Sequence, residues 1–187
     1  MKKYQIIYAD PPWKASAKEC IAQKSTITDK NSFHYPAMTT DEICKLPIKE
    51  LADNDCLLFL WVRSPMLEDG LKVGKEWGFS YRTIAFVWHK QRTNPGHYTL
   101  SECEICLVFK RGRIPPKKKH NIRQFLSEKR TIHSRKPTEI RRRIEQMFPH
   151  LNKIELFARE KVEGWDVIGN DIDGKDIKES LNNLLNS

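Results

Sequence analysis

Residues Ile6 to Trp13 read Ile-Ile-Tyr-Ala-Asp-Pro-Pro-Trp, an apolar run that stops at an acid, two prolines and a Trp. A run of this kind forms a buried strand and leaves the Asp10 carboxylate at its tip. Pro11 and Pro12 fix the backbone and hold the residue before each of them extended. Trp13 sets a flat aromatic beside the acid. The set suits a reaction on the exocyclic amine of a nucleobase. That amine is a weak nucleophile because its lone pair is delocalised into the ring. Two acceptors aimed at its two N–H groups would shift the nitrogen toward a tetrahedral shape and free the lone pair. The Asp10 carboxylate can be one acceptor and the Pro11 carbonyl the other, with proline rigidity as preorganisation. Trp13 offers a face to a base drawn out of its stack. The Asp10 charge would attract a cationic methyl donor. The plain alternative is a turn after a strand, with Trp13 in the core.

The elements that must carry this corner follow from patterning. A first strand is expected over Tyr4 to Ala9, and a long polar loop over Lys14 to His34. Thr39 and Glu42 form a capping box that opens a short helix through about Glu50. The continuous apolar run Cys56 to Val62 fits a strand covered on both faces. Ser64-Pro65 starts a helix, with Ser64 as its cap, that ends near Gly78. Strands are expected over Tyr81 to His89 and Glu102 to Phe109, joined by a loop over Gln91 to Leu100. A basic connector covers Arg111 to Lys119. Pro137 starts a helix that runs to about Phe148, with Ile140, Ile144 and Met147 as its apolar stripe. Lys153 to Ala158 and Trp165 to Ile168 are the closing strands, and the polar tail can end in a short helix. Strands alternating with helices imply an α/β, mostly parallel, doubly wound sheet, in which ligands sit beyond the carboxyl ends of the strands. Asp10 stands at one such end. No G-x-G-x-x-G occurs, which argues against a dinucleotide dehydrogenase.

At 187 residues, with 39% hydrophobic and 30% charged residues, the chain fits one globular domain. No apolar run approaches a membrane span, and none precedes Asp10 to form a secretory signal, so a cytoplasmic protein is expected. The five cysteines are scattered and expected to be free thiols. Cys103 and Cys106 lie three apart in a strand, on opposite faces, so no metal site is expected. The net charge of +9 is concentrated: Lys110 to Arg143 holds 14 Lys or Arg and two acids, and the remainder is slightly acidic. Such a window is the footprint of a protein that meets a polyanion, nucleic acid first; the bland reading is a solvated face.

Asp10-Pro11-Pro12-Trp13 resembles the signature of the MT-A family (MT-A seventy type) of adenine-N(6) methyltransferases. Further stretches are similar in the same order. They are His34-Tyr35-Pro36 with Met38 to Ile43, Cys56 to Val62, and His97 to Cys106. Ser134-Arg135-Lys136-Pro137, Lys153 to Arg159, Gly164-Trp165 and Gly169-Asn170 follow. The resemblance covers about Tyr4 to Asp171. It implies a circularly permuted, Rossmann-like methyltransferase domain over residues 1–172, catalytic motif first, with a polar tail over 173–187. It implies S-adenosylmethionine as cofactor, catalytic roles for Asp10, Pro11, Pro12 and Trp13, and a place for Asp10 close to the donor. Lys136 would reach the donor's carboxylate, Phe157 and Arg159 would line its adenosine side, and Asn170 and Asp171 would bond its ribose. Tyr35 and Trp13 would shape the target pocket. Taken singly, Phe157 reads as core, Lys136 as a solvated charge, Arg159 as a partner of Glu160 or Glu163, and Asn170 as a turn cap.

Lys117, Lys118, Lys119, Arg141 and Arg142 are the expected nucleic-acid contacts. A compact chain resembles bacterial or phage DNA enzymes more than eukaryotic RNA enzymes, so DNA is favoured over RNA. A non-catalytic nucleic-acid-binding subunit is the alternative from another class, and methylation of a small molecule or protein amine is a third. Pairing with a second copy or a related subunit is also an expectation.

Overall fold

The computed structural model describes residues 2–14, 37–96, 98–130 and 135–186. Among these, seven strands form one mixed sheet. They are β1 (Tyr4–Ala9), β2 (Ala52–Val62), β3 (Ser80–Asn94), β4 (Ser101–Arg111), β5 (Phe125–Ser127), β6 (Lys153–Leu156) and β7 (Asp166–Ile168). Their order is β5-β3-β4-β2-β1-β6-β7, with antiparallel pairing only where β4 meets β2 and β3. The other pairs are parallel, so the architecture is the expected mostly parallel, Rossmann-like one.

Alternation along β1 sends Ile7 and Ala9 to one face and Ile6 and Tyr8 to the other, and both faces are covered. The first face lies under α1 (Thr40–Cys44), α2 (Ile48–Leu51), α3 (Leu67–Glu76) and α6 (Ile177–Leu185). The second lies under α4 (Thr138–Met147), which buries Ile140 and Ile144 against Phe59, Trp61 and Trp88. A one-turn α5 (Asn170–Asp173) follows β7. Glycines let α3 lie close to the sheet: a Cβ on Gly74 would stand 2.2 Å from the Phe109 ring.

Several expected boundaries shift. The Thr39–Glu42 capping box is formed, but the helix ends at Cys44 and a second one begins after Pro47. Ser64 does not cap the next helix; Arg63 precedes a 3-10 turn over Ser64–Met66 that leads into α3. β3 runs through Gln91 to Asn94, where a loop was expected, and β5 was not expected at all. The segment from Asp173 does end in a helix, and that helix buries Ile177 and Leu181 in the main core.

The chain builds β2, β4, β3 and β5 on one side of β1, then crosses through α4 to build β6 and β7 on the other. The carboxyl end of β1, beside β6, is therefore the switch point at which such sheets take ligands.

Candidate active site

Ala9 pairs with Leu60 on one side and Leu156 on the other. Asp10 therefore leaves the sheet between Trp61 and Phe157. The proline corner is held by its own backbone: Trp13 N–H donates to the Pro11 carbonyl at 2.9 Å, and Met38 N–H donates to the Pro12 carbonyl at 2.8 Å. Pro11 keeps one carbonyl lone pair free of that bond. Trp13 is buried, and its indole N–H donates to the Trp61 carbonyl at 3.0 Å. It anchors the corner to β2, so the core reading of Trp13 describes its position better than an open platform does.

The Asp10 carboxylate is gripped by Lys136. Both Asp10 oxygens accept from the Lys136 ammonium at 2.7 Å. The same ammonium lies 3.1 Å from Glu104 and 5.3 Å above the Trp61 ring. Glu104 also faces Lys90 at 3.4 Å, and Lys90 is buried. Two carboxylates and two ammonium groups thus alternate across β1, β4, β3 and the residue before Pro137. Burial pushes the Asp10 carboxyl above its ordinary value of 3.8, and Lys136 opposes that rise. The ammonium groups of Lys136 and Lys90 outweigh burial at Glu104 and hold it low. Lys136 is held above its usual range, because Asp10 and Glu104 together overcome its own desolvation. A carboxylate has about four acceptor positions, so Asp10 can receive an amine N–H while Lys136 holds its ionised form. Lys136 was expected at a donor carboxylate; here its partners are Asp10 and Glu104.

A pocket opens beside this pair, between the ends of β1 and β6 and the start of α4. Tyr8, Asp10, Lys136, Arg141, Glu155, Phe157 and Arg159 line it, together with Arg135, Pro137, Thr138 and Glu160. Trp61 Nε1 donates to the Tyr8 hydroxyl at 2.7 Å, which fixes the pocket's inner wall. Phe157 is buried with φ of +61°, a left-handed backbone that costs a bulky residue of order 1 kcal/mol. Strain of this kind gathers at functional sites.

Arg141 was expected on a nucleic-acid surface. The structure places it inside the pocket wall, donating to Glu155 at 2.7 Å and to Glu160 at 2.8 Å, with its side chain 11% exposed. Arg135 bonds the other oxygen of Glu160. Arg142 is exposed and bonded to Glu139 at 2.6 Å. Lys117, Lys118 and Lys119 are exposed, but not near Asp10. Lys118 N–H donates to the Met147 carbonyl, and the Lys119 ammonium to Gln146, at the far end of α4. A helix of that length puts them roughly 15 Å along from Lys136, toward the amino edge of the sheet. Exposed cations at the carboxyl edge include Lys14, Arg92 and Lys129. Tyr35 lies outside the described residues.

Asn170 follows β7 at the same carboxyl edge. Its Oδ1 is buried and, among the described residues, has no hydrogen-bond partner. A buried acceptor left open costs free energy unless a ligand donates to it, and the hydroxyls of a ribose are suitable donors. Asp171, next to it, is exposed. Asp10, Phe157, Arg159 and Asn170 therefore gather at the ends of three adjacent strands and fit a nucleoside-bearing cofactor. Cys103 and Cys106 both lie in β4, and no group of metal-binding side chains occurs among the described residues. Nor is any described helix long and apolar enough to cross a membrane.

Sequence reasoning did not single out Glu104, Tyr8, Lys90 or Glu155. The signal for Glu104 and Glu155 was partial: Glu104 precedes the apolar stretch of β4, Glu155 stands between Ile154 and Leu156, and a buried acid requires a partner.

The sequence profile described as MT-A70 matches residues 4–171. The chain is similar to the type II methyltransferase M.MunI of a Mycoplasma species, 45% identical over 184 residues, covering 91% of this chain and 78% of that protein. It is also similar to the N(6)-adenosine-methyltransferase catalytic subunit METTL3 of Homo sapiens, 32% identical over 183 residues. An MT-A70-like N(6)-adenosine-methyltransferase of Arabidopsis thaliana is 29% identical over 181 residues. The chain spans 29% and 24% of those two longer proteins. The chain belongs to the MT-A70 family, whose methyltransferases use S-adenosylmethionine.

Proposed function

We propose that this chain transfers the methyl group of S-adenosylmethionine to the N6 amine of adenine in DNA. The observation that carries the reading is the Asp10 carboxylate, fixed by two prolines at the mouth of a switch-point pocket and gripped by the Lys136 ammonium. Asp10 accepts one amine N–H, and the free lone pair of the Pro11 carbonyl accepts the other. The target nitrogen then presents its lone pair toward the pocket, where the cofactor supplies an electrophilic methyl group when bound. Phe157, Arg159, Asn170 and Asp171 are the residues that would hold that cofactor. A nitrogen–carbon bond forms as the sulfur–carbon bond breaks, and the methylated amine carries one proton too many. Asp10, whose proton affinity burial raises, is the nearest base to take that proton and pass it to water.

DNA is favoured because the relative with the fuller coverage is a type II methyltransferase, a class that modifies DNA at a defined sequence. The reading includes a cytoplasmic location and association with a second copy or a related subunit, which sedimentation velocity reads directly. The test offers labelled S-adenosylmethionine with DNA and RNA of the same sequences in parallel. Label on N6 of adenine in DNA is expected. Label confined to RNA would transfer the reading to the adenosine-methylating relatives. No label on either polymer, with both bound, would favour a binding subunit.

A further inference from the structure

The β3–β4 hairpin is longer than the sheet requires. β2 stops at Val62, opposite Ile105, close to the level at which Asp10 leaves β1. β4 begins four residues earlier, at Ser101, and β3 continues to Asn94. At about 3.4 Å per residue the arm overhangs the carboxyl edge by roughly 13 Å before its turn. It is braced at its root, and between His89 and Asn94 its pairing with β4 is irregular. β5 pairs with Val87 to His89, Trp88 Nε1 donates to the Glu128 carbonyl at 2.8 Å, and Lys90 faces Glu104. Gly96 lies close to the returning chain: a Cβ there would stand 2.3 Å from the Thr99 carbonyl oxygen. At the tip Tyr98 is fully exposed and Leu100 is 64% exposed. Between Asn94 and Ser101 the sequence has no acid, so the tip itself sets no like charge against a polyanion.

The reaction sets a demand that this arm can meet. An adenine inside a duplex cannot bring its amine to a carboxylate at the bottom of a pocket, so it must leave the stack. Proteins that part base steps insert apolar wedges to do so. Resting on the reading of DNA as substrate, we propose that the hairpin tip is that wedge: Tyr98, with Leu100 beside it, enters the base stack next to the extruded adenine. The bracing fixes the root of the arm to the sheet, and its place over the carboxyl edge sets the target nucleotide above Asp10.

The recognition sequence is first read by direct sequencing of DNA treated with the enzyme. Duplexes are then built with 2-aminopurine in place of the target adenine, and with the target adenine opposite an abasic site. Wild type should raise the 2-aminopurine fluorescence. Tyr98→Ala and the Tyr98→Ala/Leu100→Ala pair should cut that rise, and the methylation of matched duplex, about tenfold or more. On the abasic duplex, where the target is already unpaired, both should recover to within about threefold of wild type. Donor binding by calorimetry should not change, which separates the effect from unfolding. A variant that extrudes the base as well as wild type would overturn the proposal. So would equal losses on both duplexes, which mark a tip that docks protein or serves the fold. If wild type places no methyl group on DNA adenine, the reading beneath the proposal has failed instead, and the first step reveals it.

Discussion

Asp10 and Lys136 act on each other as a buried pair. Burial alone would favour a neutral Asp10; the ammonium beside it works against that. A carboxylate whose proton affinity is raised works only above its shifted pKa, so methyl transfer should fall as pH drops through a value above the ordinary 3.8. Replacing Lys136 by Met removes the group that lowers the Asp10 pKa. The acid limb of kcat/KM against pH should then move to higher pH. An unmoved limb with a raised KM for the donor would instead make Lys136 a donor ligand alone. The motif itself was legible in the sequence because a strand, an acid and two prolines are contiguous. Glu104 was not, because its partner Lys136 is 32 positions away and joins it only through the fold.

At the scale of elements, the arginines of α4 show how one helix divides its charges. Arg141 turns inward to Glu155 and Glu160, joining α4 to β6 and the turn after it. Arg142 turns outward to Glu139. Arg141→Ala leaves Glu155 half-buried without its cation and should lower stability by about 3 kcal/mol. Arg142→Ala should leave the melting temperature where it is. Thermal unfolding of the two variants side by side checks the contrast, and equal effects would refute it. A run of three arginines reads from sequence as a basic face, because the pattern does not show which guanidinium meets an acid 14 positions later. The same limit hid the far end of β3, where Gln91 to Asn94 lack the apolar alternation of a strand. It hid the three-residue β5 as well. β1 and the Cys56 to Val62 part of β2 were legible because both are buried on two faces, and their sequences are apolar apart from Gln5.

For the whole molecule, the fold decides which part of the net +9 matters. Lys110 to Arg143 starts at the amino edge of the sheet, runs up to β5 and returns through α4. Its cations therefore spread over more than one side. Phosphates of a bound nucleic acid would lie over the carboxyl edge, near Lys14, Arg92 and Lys129. Reversing those three charges should weaken DNA binding and flatten its dependence on salt, by roughly 0.9 in slope for each phosphate that is no longer neutralised. Reversing Lys117, Lys118 and Lys119 should leave the slope close to wild type. Titrations at several salt concentrations decide between the two edges, and the opposite ranking would place the nucleic acid along the α4 flank.

In the proposed reaction one buried carboxylate grips the amine that receives the methyl group. Asp10→Asn keeps the size of the side chain and removes its charge. The most direct test follows labelled methyl transfer to adenine in DNA by wild type and Asp10→Asn at saturating donor, with thermal unfolding and DNA binding measured on the same samples. A folded, DNA-binding variant slower by about 100-fold or more is expected, the scale of losing a preorganised electrostatic contact at a reaction centre. A variant that turns over like wild type would overturn the role proposed for Asp10.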